Sequence, residues 1–286
     1  MTTLPAAAAG PISLGGELIV NRMGFGAMRL TGRGIWGPPA DPGECRRVLR
    51  RAVDLGVNFI DTADSYGPAV SEQLIAEALH PYPDGLVIAT KAGLQRPGPG
   101  QWTPNGRPEY LRRQCESSLQ RLRVERIDLF QLHRIDPKVP EEDQFGLLAD
   151  LQREGKIRLV GLSEADADAI RRARATVPIV SVQNRYNVSD RAWERVVDYC
   201  DAEGIAFIPW YPLGAGSLPA EAAIAGVARR HQASPLQVAL AWLLARSRMM
   251  LPIPGTSQVA HLEENVAAAQ LDLGRDVDAL TNATTG

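Results

Sequence analysis

Three observations predict an α/β fold built as a single (β/α)8 TIM barrel with an N-terminal β-hairpin. Strand and helix patterns alternate through eight units, no linker or composition break divides them, and no glycine fingerprint follows an early strand. At 286 residues the chain is close to the length of about 250 that such barrels need. One barrel domain is therefore expected over residues 1–286, with 1–10 as a flexible leader. Gly32-Arg33-Gly34-Ile35-Trp36-Gly37 matches G-x-G-x-x-G literally, but it opens no helix and runs into Pro38-Pro39. Without a strand before it and a helix after it, the motif says nothing about dinucleotides, and a loop lining a substrate mouth is expected instead.

The hairpin is read from the alternation of Ile12 to Val20 around Gly15-Gly16. A short strand near 23–26 comes next. Asp41-Pro42-Gly43-Glu44 supplies an N-cap, a first-turn proline and a capping-box glutamate for a helix with its apolar stripe at Cys45, Val48, Leu49, Ala52 and Val53. Asn58 to Asp61 reads as a buried strand ending in a carboxylate, and Ser71 is expected to open the following helix. The strand Leu86 to Thr90 delivers Lys91, a Gly/Pro-rich loop covers 93–108, and Pro108 starts the next helix. The strand Ile127 to Leu132 delivers His133. Helices are then expected near 141–153, 165–175, 190–202, 220–231, 235–245 and 258–269, and strands at 157–161, 179–182, 205–210 and 249–252.

Composition narrows the function. A net charge of −2 with mixed signs argues against a nucleic-acid or anionic-membrane binder. The arginine clusters at 46–51, 112–126 and 171–174 fall on predicted helices and read as solvated outer faces. Cys45, Cys115 and Cys200 are odd in number and far apart, so neither a disulfide framework nor a zinc site is expected, and no metal ligand set is assigned. The N-terminus lacks a basic segment, so no signal peptide is expected, and no run approaches the roughly 18 apolar residues of a membrane span. The expected compartment is the cytoplasm and the expected partner a small molecule.

In a barrel, functional groups gather at the C-terminal ends of the strands. Asp61, Lys91 and His133 end consecutive predicted strands, and Tyr66 lies on the loop after Asp61. A phenol with an ordinary pKa near 10 is a poor acid at neutral pH, and a neighbouring ammonium is expected to lower it. Asp61 would hold Lys91 charged, and His133 would orient a substrate oxygen. This set suits carbonyl reduction, with hydride arriving at carbon and a proton at oxygen.

The chain resembles the aldo-keto reductases over nearly its whole length. The matching stretches are Phe59 to Gly67, Ile88 to Lys91, Asp128 to His133, Gly161-Leu162-Ser163, Val182 to Asn187, Trp210 to Gly214, Ile253 to Ser257 and Leu262 to Asn265. The resemblance implies a barrel that binds NADPH without a Rossmann domain, with Tyr66 as proton donor, Asp61 and Lys91 tuning it, and His133 orienting substrate. It also implies that Ser163 and Gln183 bond the nicotinamide carboxamide and that Trp210 stacks on the ring. Leu213, Gly214 and Gly216 would line the pyrophosphate, Gly255, Thr256 and Ser257 would hold the adenosine phosphate, and Glu264 and Asn265 would meet adenine. Three positions depart from the pattern. Glu164 stands where many relatives carry Asn, and Gly255 and His261 stand where NADP-selective relatives place Lys and Arg, so NADH is an expected competitor.

The length and the Gly34 to Pro39 loop resemble bacterial members that act on pyridoxal, and Trp36 and Trp102 are placed to flank a planar ring. Two other readings stay open: a Schiff-base aldolase using Lys91, and a nucleotide-sensing regulatory barrel without turnover.

Overall fold

The structure is a computed structural model that describes residues 4–214 and 221–283. A seven-stranded parallel sheet curls through β3 (Phe25–Gly26), β4 (Phe59–Asp61), β5 (Val87–Ala92), β8 (Ile127–Leu132), β9 (Ile157–Ser163), β10 (Ile179–Gln183) and β11 (Ala206–Phe207), each neighbouring the next. The expected last strand, 249–252, pairs only irregularly. Pro252 and Pro254 have no N–H to give a ladder, so this segment accepts bonds on both sides. Phe207 N donates to Met249 O at 2.8 Å, and Gly24 N donates to Pro252 O at 3.0 Å. Together with the bond from Leu251 N to Phe207 O at 2.9 Å, these close the ring between β11 and β3. The result is a (β/α)8 barrel.

The helices are α1 (Pro42–Asp54), α2 (Val70–Leu79), α3 (Pro108–Leu122), α4 (Glu141–Arg153), α5 (Ala167–Arg174), α6 (Glu194–Glu203), α7 (Glu221–His231), α8 (Pro235–Arg246), α9 (Val259–Ala267) and α10 (Asp276–Ala283). Asp41 caps α1 by accepting from Glu44 N, and Ser234 with Gln237 forms a full capping box on α8. Ser71 does not open α2. It lies buried in the first turn, where its hydroxyl donates to Ala27 O and accepts from Thr62 Oγ1. The helix α10 has no counterpart in the sequence reading. It docks through Leu280 and through Thr281, whose hydroxyl accepts from the buried Trp242 indole at 2.9 Å. The loop after β5 folds a small hairpin of β6 (Leu94–Gln95) and β7 (Thr103–Pro104).

Residues 5–9 are not a loose leader. Pro5–Ala9 forms a 3-10 turn with Ala6 and Ala9 buried and Ala6 N bonded to Leu55 O. Arg22 fastens it, donating to Ala9 O and to the carbonyls of Leu244 and Ser247 at the end of α8.

Side chains alternate across each strand. Ile60, Ile88, Phe130 and Val160 face the helices, whereas Phe59, Val87, Leu129 and Leu159 point into the barrel. The hairpin of β1 (Pro11–Leu14) and β2 (Leu18–Asn21) adds Ile12, Leu14 and Val20 to that interior cluster and plugs the N-terminal end. Its turn glycines, Gly15 and Gly16, both have positive φ, and with Glu17, whose N–H donates to Leu14 O, they make a three-residue loop between the paired Leu14 and Leu18.

Candidate active site

Two residues further along the same inward columns, the barrel changes character. Phe59 leads to Asp61, Ala89 to Lys91, and Leu129 to Gln131 and then His133. Lys91 is fully buried, and its ammonium donates to Asp61 Oδ1 (2.5 Å), Asp61 Oδ2 (2.8 Å) and Thr62 O (2.8 Å). Asp61 Oδ2 also accepts from the amides of Gln131 and Gln183, each at 3.0 Å. The carboxylate is thus held by donors from three other strands, which fixes the lysine in turn. Burial lowers the Lys91 pKa, with Asp61 opposing. With three acceptors on three N–H bonds, Lys91 has no lone pair to offer a carbonyl, which weighs against the Schiff-base reading.

The loop from Thr62 to Ala69 is bonded to β5 through Thr62 N to Ala89 O and Asp64 N to Lys91 O. It brings the Tyr66 ring over Lys91, with Nζ 5.3 Å from the ring centroid, and sets the ring edge-on to His133 at 5.9 Å. The four residues expected to act together are therefore together. One expectation fails. Lys91 is matched by Asp61, and burial followed by the Asp61 charge pushes the Tyr66 pKa up, not down. Tyr66 is a firmly protonated phenol: a donor, not a pre-formed phenolate. His133 is driven well below its ordinary 6.5, first by burial and then by Lys91, Arg134 and Arg96, so it is a neutral imidazole. Its Nδ1 lies 3.3 Å from the Ser65 hydroxyl. A serine donating there leaves the ring proton on Nε2.

On the neighbouring strand ends stand the residues expected to meet nicotinamide. Ser163 ends β9, Gln183 ends β10, and Trp210 follows β11, its backbone bridged to Arg185. Glu164 does not take the amide role of the Asn it replaces. In a left-handed conformation (φ 53°), it accepts from the Trp210 indole at 2.5 Å and from Arg185 N at 2.8 Å, clamping the indole. The donor set fits a nicotinamide: a hydroxyl, an amide and a held aromatic plane on three adjoining strands.

Leu213 and Gly214 form a half-buried turn, and Gly216 lies outside the described residues. Gly255 is required by packing, since a Cβ there would lie 2.4 Å from Gly26 O. Thr256 is buried and caps Gln258 N, Asn265 is buried, and Ser257 and Glu264 are half-buried. His261 is exposed. The first N–H of α9, on Val259, is already bonded to the carboxylate of Glu44 at 3.1 Å. That acid lies where a phosphate was expected and weakens the case for strict NADP selectivity.

Trp36 and Trp102 do not face each other across an open slot. Arg96 takes the place a ligand ring was given, its Cζ 3.7 Å from the Trp102 ring centroid and 5.5 Å from that of Trp36. Its nitrogens donate to Gly34 O, Ile35 O, Ser65 O and Gln101 O, tying three loops together. Trp102 still reaches the centre, 6.3 Å from the His133 ring. A pocket of about 450 Å³ beside this junction is lined by Asp64, Ser65, Arg96 and Tyr110 among others.

The sequence reading missed Gln131, Arg96 and Arg134. Gln131 was findable, because it is one inward step before His133; the two loop arginines carry no such signal. Among the described residues no His/Cys/Asp/Glu group is placed to hold a metal, and no helix is long and apolar enough to cross a membrane.

Known proteins resemble this chain along most of its length. The chain is 53% identical over 277 residues to an uncharacterized oxidoreductase of Schizosaccharomyces pombe, covering 96% of this chain and 90% of that one. It is 42% identical over 268 residues to the pyridoxine 4-dehydrogenase of Escherichia coli, covering 92% and 94%. A thermostable aldo-keto reductase crystallised with the inhibitor epalrestat superposes with a TM-score of 0.85 at 28% identity, over 96% of this chain and 99% of that one. The sequence model of the Aldo/keto reductase family matches residues 22–280. With the family model matching residues 22–280 and relatives matched along almost the whole length, this chain is an oxidoreductase that belongs to the Aldo/keto reductase family.

Proposed function

We propose that the chain reduces an aldehyde or ketone with NADPH as the hydride source and Tyr66 as the proton donor, and that pyridoxal to pyridoxine is the candidate reaction. The observation that carries this reading is the buried Asp61–Lys91 pair with Tyr66 and His133 directly over it. Ser163, Gln183 and Trp210 would hold the nicotinamide, and the 255–265 segment the adenosine end. Once bound there, the reduced nicotinamide supplies the hydride. NADH is a weaker competitor whose use Glu44 favours.

The roles of the protein groups follow from their surroundings. Neutral His133 gives a hydrogen bond to the substrate oxygen and fixes its approach. Tyr66, protonated because it is buried, releases its proton as negative charge builds on that oxygen. Its own negative charge then forms near Lys91, whose ammonium is already oriented, so little reorganisation is needed. The walls around the four residues exclude water, which strengthens each of these interactions. The relative named pyridoxine 4-dehydrogenase supports the pyridoxal candidate.

The test is loss of NADPH absorbance against a carbonyl panel that includes pyridoxal. Tyr66→Phe is expected to lower kcat by at least about a thousandfold, within the range of lost acid catalysis plus positioning, with cofactor affinity nearly intact. Loss of cofactor binding instead would make the tyrosine a structural residue and end the reading.

A further inference from the structure

Arg134 follows His133 and is half-buried. One nitrogen, Nη1, donates to His133 O at 2.6 Å and to Ser163 Oγ at 3.0 Å. Both acceptors are neutral, and among the described residues no carboxylate pairs with this guanidinium. Some arginines of the same chain pair with acids, as Arg112 does with Glu154 and Arg172 with Glu141, whereas Arg22 and Arg96 are spent on three and four backbone carbonyls; Arg134 has only one carbonyl and one hydroxyl. Glu164 is the nearest acidic influence, but its Oε1 is already shared by the Trp210 indole and Arg185 N. The Arg134 charge is felt at Tyr66, Lys91 and His133 alike, so it stands within reach of the reacting centre. Its bonds to the backbone carbonyl of His133 and to the Ser163 hydroxyl hold it across the C-terminal ends of β8 and β9, beside the group that would hold the nicotinamide amide.

A partly desolvated cation that no carboxylate bonds directly favours an anion that arrives with the ligand. The adjoining wall is aromatic, since Trp102 lies against the His133 ring. We propose that Arg134 is a specificity residue that recognises an ionised oxygen ortho to the reacting aldehyde on an aromatic ring. Pyridoxal has this feature, its ring oxygen sitting on the carbon next to the one that bears the aldehyde. The inference rests on the carbonyl-reductase reading and sharpens it, from any aldehyde to ortho-hydroxy aromatic aldehydes.

The experiment compares kcat/KM for salicylaldehyde, 4-hydroxybenzaldehyde and benzaldehyde with NADPH, following the alcohol product by chromatography, in the unchanged enzyme, Arg134→Met and Arg134→Lys. The unchanged enzyme is expected to prefer the ortho isomer by roughly ten- to a hundredfold, the range of one charge-assisted hydrogen bond. The preference should rise with pH as the substrate phenol ionises. In Arg134→Met the ortho/para ratio should fall toward one, and Arg134→Lys should restore part of it. Equal rates for the two isomers in the unchanged enzyme would overturn the proposal, as would an Arg134→Met variant that loses all three substrates in the same proportion. A preference for a non-aromatic 2-oxo acid over salicylaldehyde would also overturn it. Absence of reduction for every aldehyde would instead mean that the carbonyl-reductase reading itself had failed.

Discussion

The two ends of the barrel are built on the same strands and do opposite things. At the N-terminal end the inward positions are Phe59, Val87, Leu129 and Leu159, sealed by Ile12, Leu14 and Val20 of the hairpin. At the C-terminal end the inward columns reach Asp61, Lys91 (beyond Ala89) and Gln131, and the loops above them carry Tyr66, Arg96 and Arg134. The first layer is close-packed apolar surface removed from water. The second is a buried polar network in which each group depends on a specific partner. The lower layer is therefore expected to tolerate changes of shape better than changes of polarity, whereas at the centre of the upper layer the loss of one buried partner leaves another buried group unmatched.

Substitutions on shared strands test that contrast. Lys91→Met should have the largest effect, because it leaves the Asp61 carboxylate buried without its cation. Breaking a buried pair in this way costs roughly 3–5 kcal/mol, and turnover should vanish with it. Urea unfolding and NADPH oxidation would measure both, and a variant as stable as the parent would show that Asp61 finds other compensation. Leu129→Ala, two residues before Gln131 on β8, should cost about 2–5 kcal/mol of stability. Turnover per folded molecule should be retained; a collapse of kcat there would mean that the two layers are not separable.

Arg96→Ala tests the loops rather than the strands. Freed from four carbonyls and two indoles, the loops bearing Trp36 and Trp102 should loosen. KM for aromatic aldehydes should rise about tenfold, which corresponds to roughly 1.4 kcal/mol, with kcat less affected. Arg96→Lys should not restore the parent KM, because an ammonium cannot reproduce the planar fork.

The smallest effect concerns His133. Its native pKa is depressed below the unfolded value, so on acidification the unfolded chain takes up a proton that the native state refuses. Stability should fall as pH drops below about 6.5, by up to about 1.4 kcal/mol per pH unit from this residue. His133→Asn should remove that component of the slope while leaving the part due to the carboxylates. An unchanged pH profile would mean that the imidazole is protonated in the native state.

Local pattern made the barrel legible. The stripe of α1 and the strand-end placement of Asp61, Lys91 and His133 follow from periodicities of 3.6 and 2 within short windows, and the cap at Asp41 from residue type at one position. That is why three catalytic candidates and Tyr66 on its loop could be assigned before any contact was known. The irregular closure at 249–254 was readable in principle from two prolines. The docking of Pro5–Ala9 and of α10 was not, because both depend on partners far away in the chain, Leu55 and Trp242.

Tertiary structure alone decided the electrostatics. Residue type suggested a lysine held by Asp61 and a phenol acidified by that lysine; only the fold shows that burial and the Asp61 charge keep Tyr66 protonated. The sequence marked Glu164 as a departure, and the fold turned it into the clamp on Trp210. A pKa or an ion pair depends on depth and on every neighbouring charge, and those quantities do not exist until distant segments have been brought together.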